Sequence, residues 1–221
     1  MKTITSLQSI NMKSRFQILL ISLFAMLAFA SCQQPTQSSA PEAADAAVPE
    51  ATQPAASETA AMPDVPNILK VSANEKLVFT AKAKGVQIYE CKKTDKGNLE
   101  WVFKAPEATL MDESGAKIGT HYKNTDPAAT GPAWELPDGS KVVGSKLQEL
   151  PSPAADAIPW LLLEVKWNKG AGAFANVTKI QRVETAGGKA PAGGCDEKSI
   201  GTEMRVDYTA TYYFYAINAS K

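Results

Sequence analysis

The sequence predicts an all-β domain, a single antiparallel β-sandwich or barrel-like fold, and three observations carry the prediction. Apolar residues alternate with polar ones along several segments, the period of a half-buried strand. Turn-forming clusters separate these segments: Asp95-Lys96-Gly97-Asn98, Asp112-Glu113-Ser114-Gly115 and Pro137-Asp138-Gly139. No segment carries an apolar stripe at helical spacing, apart from a short helical turn near Lys146 to Leu150. Many short strands between such turns make a sandwich or a barrel, and both stay open at this level.

The strands follow in order. Leu77, Phe79 and Ala81 alternate with polar neighbours, and Ala83-Lys84-Gly85 is expected to turn the chain. Val86 to Cys91 then puts Val86 and Ile88 on one face and Tyr89 and Cys91 on the other. Leu99, Trp101 and Phe103 alternate next. Ile158 to Trp167 is almost continuously apolar and reads as a central strand; Val177 to Glu184 is another strand. In the last strand Met204, Val206, Tyr208, Ala210, Tyr212, Phe214 and Ala216 share one face, with Arg205, Asp207, Thr209 and Thr211 opposite. It is longer than an ordinary strand, so it should bend or serve two sheets.

Ahead of this domain, Lys13 and Arg15 precede an apolar run from Phe16 that ends in Ala28-Phe29-Ala30-Ser31-Cys32. A basic start, a short apolar stretch and small residues at the exit make a secretory signal, too short to span a bilayer. A cysteine at that exit resembles the lipobox of bacterial lipoproteins, with Phe29 where Leu is usual. Residues 1–31 are therefore expected to be removed and Cys32 to become the lipid-modified first residue, with simple secretion as the alternative. Met12 offers a second start. Gln33, where an Asp resembles an inner-membrane retention mark, points to the outer membrane.

Residues 32–65 change composition. Ala, Pro, Ser, Thr and Gln dominate, Lys and Arg are absent, and Glu42, Asp45, Glu50, Glu58 and Asp64 stand alone. Such a segment buries too little apolar area to offset its ordering entropy, and Pro35, Pro41, Pro49 and Pro54 interrupt any alanine helix. A disordered tether is expected, spanning roughly 30 Å as a flexible coil.

The rest, 66–221, is long enough for one domain with a sizeable core. The whole chain has 23 basic and 23 acidic residues, with no basic block, so nothing points to nucleic acid. Beyond Cys32 the cysteines are Cys91 and Cys195. Export favours a disulfide between them; two buried thiols are the alternative.

Several motif matches fail on context. Gly170-Ala-Gly172-Ala-Phe-Ala175 fits a permissive dinucleotide fingerprint, but strand-like Asn176-Val-Thr-Lys-Ile follows where a helix is required. Ser114-Gly-Ala-Lys117 fits S-x-x-K but lies across a turn. No cofactor is expected. His121 is the only histidine, so no metal centre is expected either.

Long ordered segments carry a resemblance: Gly85-Val-Gln-Ile-Tyr-Glu-Cys91, Trp101-Val-Phe-Lys-Ala-Pro-Glu-Ala-Thr-Leu110, Gly119-Thr-His-Tyr122, Pro132-Ala-Trp134, Asp138-Gly-Ser140, Ile158-Pro-Trp-Leu-Leu-Leu163, Ile180-Gln-Arg-Val-Glu-Thr185, Gly194-Cys-Asp196 and Tyr208-Thr-Ala-Thr-Tyr-Tyr-Phe-Tyr215. Over essentially all of 66–218 the chain resembles a family of secreted bacterial and fungal proteins, the domain of unknown function 3455. The resemblance implies one exported domain and carries no catalytic assignment.

Aromatic and polar residues supply the remaining candidates. Trp101, Trp160 and Tyr212 read as core, whereas Tyr213 and Tyr215 alternate out of the last strand's main apolar face. Together with His121, Tyr122, Trp134, Glu135 and Asp138 they form a candidate ligand pocket; the bland reading of His121 is a lone surface or strand-end histidine. The expected function is a membrane-tethered envelope module that binds a small molecule, a glycan or a protein. The alternatives are an envelope hydrolase using carboxylates with or without His121, and a structural envelope protein.

Overall fold

A computed structural model describes residues 62–218 of the chain. The signal segment 1–31, Cys32 and the tether up to residue 61 lie outside the described residues. Eight antiparallel strands follow one another around a closed barrel: β1 (Glu75–Lys93), β2 (Leu99–Met111), β3 (Lys117–Asn124), β4 (Gly131–Glu135), β5 (Lys141–Leu150), β6 (Trp160–Lys169), β7 (Val177–Gly187) and β8 (Glu203–Ile217). β8 returns to pair with β1 from Glu75↔Ile217 to Glu90↔Glu203. The open choice between sandwich and barrel is thus resolved as an up-and-down barrel, in which β6 is one stave among equals between β5 and β7.

Three expected turns join β1 to β2, β2 to β3 and β4 to β5, each closed by backbone hydrogen bonds such as Gly97 N–H to Thr94 O and Gly115 N–H to Asp112 O. Two local expectations are corrected. Ala83-Lys84-Gly85 is not a turn; β1 runs through it, with Gly85 opposite Ala108 on β2 and Tyr208 on β8. The glycine serves a close approach, since a Cβ there would lie 2.2 Å from the Glu107 carbonyl oxygen. The stretch Lys146 to Leu150 is not helical but the second half of β5, paired with β6.

Alternation along each strand sends one set of side chains inward. The inward set includes Ala81, Ala83, Ala108, Leu110, Trp134, Val142, Leu163, Ile180, Tyr212 and Phe214, all buried. Small residues on β1 and β2 face large rings on β4 and β8, which is how a narrow barrel fills its interior. One end is closed by an aromatic plug: Phe174 stacks on Phe214 at 4.5 Å, and Phe79 meets both edge-on at 5.3 and 5.7 Å. Phe174 comes from the 170–176 loop, which Asn168 holds through bonds to the Phe174 and Val177 carbonyls at 2.9 and 3.0 Å. The glycine-rich motif is therefore a plug-bearing loop that leads into β7, as its context predicted.

On the outer wall, the segment before β1 packs Val65 and Leu69 against Leu162 and Val183. Each such side chain contributes about 1.5–3 kcal/mol when fully buried. Around the other barrel end gather the 94–98 turn and the 125–130, 151–159 and 188–202 loops. There Cys91 and Cys195 form the expected disulfide, with a Cα–Cα distance of 5.3 Å.

Candidate functional site

At that end the barrel interior opens into a partly enclosed cavity of about 190 Å³. Gln87, Pro106, His121, Pro132, Trp134, Leu161, Leu163, Arg182 and Tyr212 line it, with Phe103 and Lys146 at the rim. Each arrives by register. Tyr212 lies opposite Arg182 on β7, Arg182 opposite Leu161 on β6, and His121 opposite Trp134 on β4. The floor is stacked: the His121 ring lies on Trp134 at 4.3 Å and 13°, and Tyr212 meets both rings at 5.2 and 5.4 Å.

His121 is buried and donates from Nδ1 to the Ala133 carbonyl at 2.8 Å, because a carbonyl can only accept. Its Nε2 is therefore the unprotonated nitrogen. Burial drives its pKa from 6.5 to about 3; the Ala133 bond opposes the shift and the Arg182 charge adds to it. The ring is neutral at physiological pH. Burial likewise raises the Tyr208 and Tyr212 phenols, which stay protonated.

Four buried polar atoms here lack a hydrogen-bond partner among the described residues: Gln87 Nε2, Trp134 Nε1, Tyr208 OH and Tyr212 OH. Tyr208 lies close to Tyr212 and Gln87, and Tyr212 close to Arg182, so each of these groups has a polar neighbour within reach although no hydrogen bond between them is closed. An unpaired buried donor costs about 1–3 kcal/mol, so such a cluster needs an explanation. Arg182 gives Nε and Nη2 to the Pro159 carbonyl at 3.1 and 2.9 Å.

The 188–202 loop lies at the same end of the barrel. The Cys91–Cys195 bridge, Trp101 Nε1–H to Gly193 O at 2.9 Å and Tyr89 OH to Gly188 O at 2.6 Å tie it down. Phe103 packs edge-on to Tyr89 at 5.8 Å yet is 52% exposed, an apolar lip beside the opening. A larger recess of about 740 Å³ lies on the outside near Lys76, Asn168 and Ile217. It is an open hollow without buried unpartnered donors, and the interior cavity is the better site.

Of the residues the sequence offered, only His121 and Trp134 meet in this cavity. Tyr122 and Glu135 are their immediate neighbours and therefore point to the opposite face. They sit on the outer wall, where Tyr122 OH donates to Glu135 and Lys141 Nζ lies 3.3 Å from the phenol. Asp138 is at the far end, accepting from Ser140 N–H at 2.7 Å and Ala173 N–H at 3.3 Å to fix the plug loop. Tyr213 is half-buried on the outer wall beneath the segment before β1. Tyr215, expected to project away from the core, is fully buried and donates to Gln181 Oε1 at 2.5 Å; Gln181 in turn donates to the Leu69 carbonyl. Trp101 and Trp160, read as core, are only half-buried, whereas Tyr212 is core as read. Gln87, Arg182 and Tyr208 were missed. The usable signal was Arg182, a charge in the inward register that Ile180 begins.

Among the described residues, no group of His, Cys, Asp or Glu is placed to hold a metal ion. Fold and cavity define a class: a closed eight-stranded up-and-down barrel, plugged at one end and hollow near the other. The family described as "Protein of unknown function (DUF3455)" matches residues 71–216, and the chain belongs to that family. No curated protein and no solved structure matches it.

Proposed function

We propose that this protein is a binding module of the cell envelope that takes a small ligand into the mouth of its barrel. Lipid on Cys32 and the tether at 32–65 hold it on a membrane, the outer membrane by the residue after the cysteine. The observation that carries the reading is the cavity of about 190 Å³, whose lining residues include stacked rings and three, Gln87, Trp134 and Tyr212, that carry a buried polar atom with no partner among the described residues. Ligand sites combine apolar walls with a few placed polar groups. The hydrolase reading has less support, because no carboxylate lines this cavity.

Thermal unfolding of the full mature chain against a library of small metabolites tests the proposal. A ligand at 100 times its dissociation constant adds about 2.7 kcal/mol, a rise of roughly 5–11 °C for a domain of this size. Tyr212→Phe and Gln87→Leu should weaken a genuine hit. Absence of any hit, or hits indifferent to both substitutions, would refute it.

A further inference from the structure

We infer that the ligand is a small organic carboxylate carrying a single planar ring, bound with its anionic end toward Arg182. The inference rests on the barrel-mouth binding reading and adds the chemical class.

Three observations converge. The first is the donor balance. Gln87 Nε2, Trp134 Nε1 and the Arg182 guanidinium can only donate, and the Tyr212 hydroxyl has a proton to give. A ligand that satisfies them must bring acceptors. The second is charge. Arg182 pairs with no carboxylate among the described residues; its guanidinium donates to the neutral Pro159 carbonyl and lies beside the neutral Tyr212 phenol. Its positive charge reaches inward to His121, Tyr208 and Tyr212. The rim adds Lys146, already engaged by Glu149 at 2.7 Å, so the lining carries two cations and no anion. A half-buried guanidinium with only a neutral partner is well matched by a carboxylate, which it can grip with two parallel hydrogen bonds.

The third is size and wall. An apolar cavity of roughly 150 Å³ holds benzene. At about 190 Å³ this cavity is sized for one ring with a carboxylate attached. Its flat walls are the Trp134, His121 and Tyr212 rings. Other regions carry less: the outer recesses near Gly85 and Lys76 are open hollows, and the Tyr122–Glu135–Lys141 cluster satisfies itself.

The test uses the full mature chain and four probes at neutral pH and fixed ionic strength: benzoate, benzamide, benzylammonium and 2-naphthoate, titrated by calorimetry and by tryptophan fluorescence. Benzoate should bind, benzamide about 10- to 100-fold more weakly, as expected for loss of a charge-assisted contact, and benzylammonium and naphthoate more weakly still. Arg182→Gln should remove the preference for benzoate over benzamide, and Arg182→Lys should retain part of it. If Arg182→Gln does not fold, the wild-type ranking decides alone. Benzamide binding as tightly as benzoate would overturn the carboxylate inference and leave the binding reading standing. No binding of any of the four would overturn the ligand class. Failure of the wider library as well would remove the binding reading too.

Discussion

Acid should weaken this fold through His121, and the size of the effect follows from where the ring sits. It lies fully inside the barrel, stacked on Trp134, with Nδ1–H committed to the Ala133 carbonyl. Burial is the main reason its pKa falls from 6.5 to about 3. The unfolded chain takes up a proton near pH 6.5 and the native protein does not, so protonation favours unfolding. The contribution is fully present above about pH 6.5 and is lost progressively as pH falls toward 3. Each pH unit in that window removes about 1.4 kcal/mol. Between about pH 7.5 and about pH 4.5 the loss is therefore about 3 kcal/mol, a fall of about 1–2 M in the urea midpoint. Urea titrations of wild type and His121→Asn at both pH values measure it. The asparagine amide can still donate to Ala133 but does not titrate. It will be less stable throughout, for lack of the ring, and should show a much shallower pH dependence. Parallel pH profiles for the two proteins would refute the claim that a neutral buried imidazole sets the acid limit.

Replacing both Cys91 and Cys195 by Ala opens a loop with a sequence separation of 104. The chain-entropy model gives a loss of about 4–5 kcal/mol, and the melting temperature should fall by roughly 10–20 °C; a calorimetric shift under about 2 °C would contradict that. Gly85→Ala places a methyl 2.2 Å from the Glu107 carbonyl oxygen and 2.4 Å from Ala108 Cα. It should cost roughly 1–3 kcal/mol or more by denaturant titration, and an unchanged midpoint would show that the strands part freely. Cys32→Ser should move the protein from the membrane fraction to the soluble one, with loss of the lipid mass; unaltered fractionation and mass would remove the anchor from the proposal.

Much of the barrel was written plainly in the chain. The face Tyr208, Ala210, Tyr212 and Phe214 of β8 is inward as its alternation implied, and the three tight turns fall where their Asp, Gly and Pro residues place them. The strands between 117 and 150 were harder to read. β4 contains Gly131 and Pro132, and β5 carries Gly144 and Lys146 at inward positions, so apolar alternation is broken where the barrel needs space or polarity. Gly144 is small for such a reason: a Cβ there would press on the Trp134 ring at 3.3 Å. Gly85 misled for the same reason, since a glycine that permits close approach looks in sequence like one that permits a turn. The site was only half legible. Residues adjacent in sequence, such as His121 with Tyr122 and Trp134 with Glu135, suggested one pocket, whereas a strand sends neighbours to opposite faces. Gln87 and Tyr208 meet across the β1–β8 seam, a pairing of the first and last strands that no local pattern encodes.

The seam where β8 meets β1 also dictates an order of folding. Glu75 pairs with Ile217, so the last staves to join come from opposite ends of the domain, and such long-range closure is slow. Until it happens, β1 and β8 each present an open edge that another chain can pair with. The disulfide shortens that interval. Cys91 stands beside Glu90 and Cys195 shortly before Glu203, and Glu90↔Glu203 is the outermost rung of the seam. Once the bridge forms, β8 need only zip along β1 from that rung, as a hairpin does from its turn. Oxidation before closure should thus speed refolding and suppress aggregation, a kinetic role separate from any stability the bridge confers.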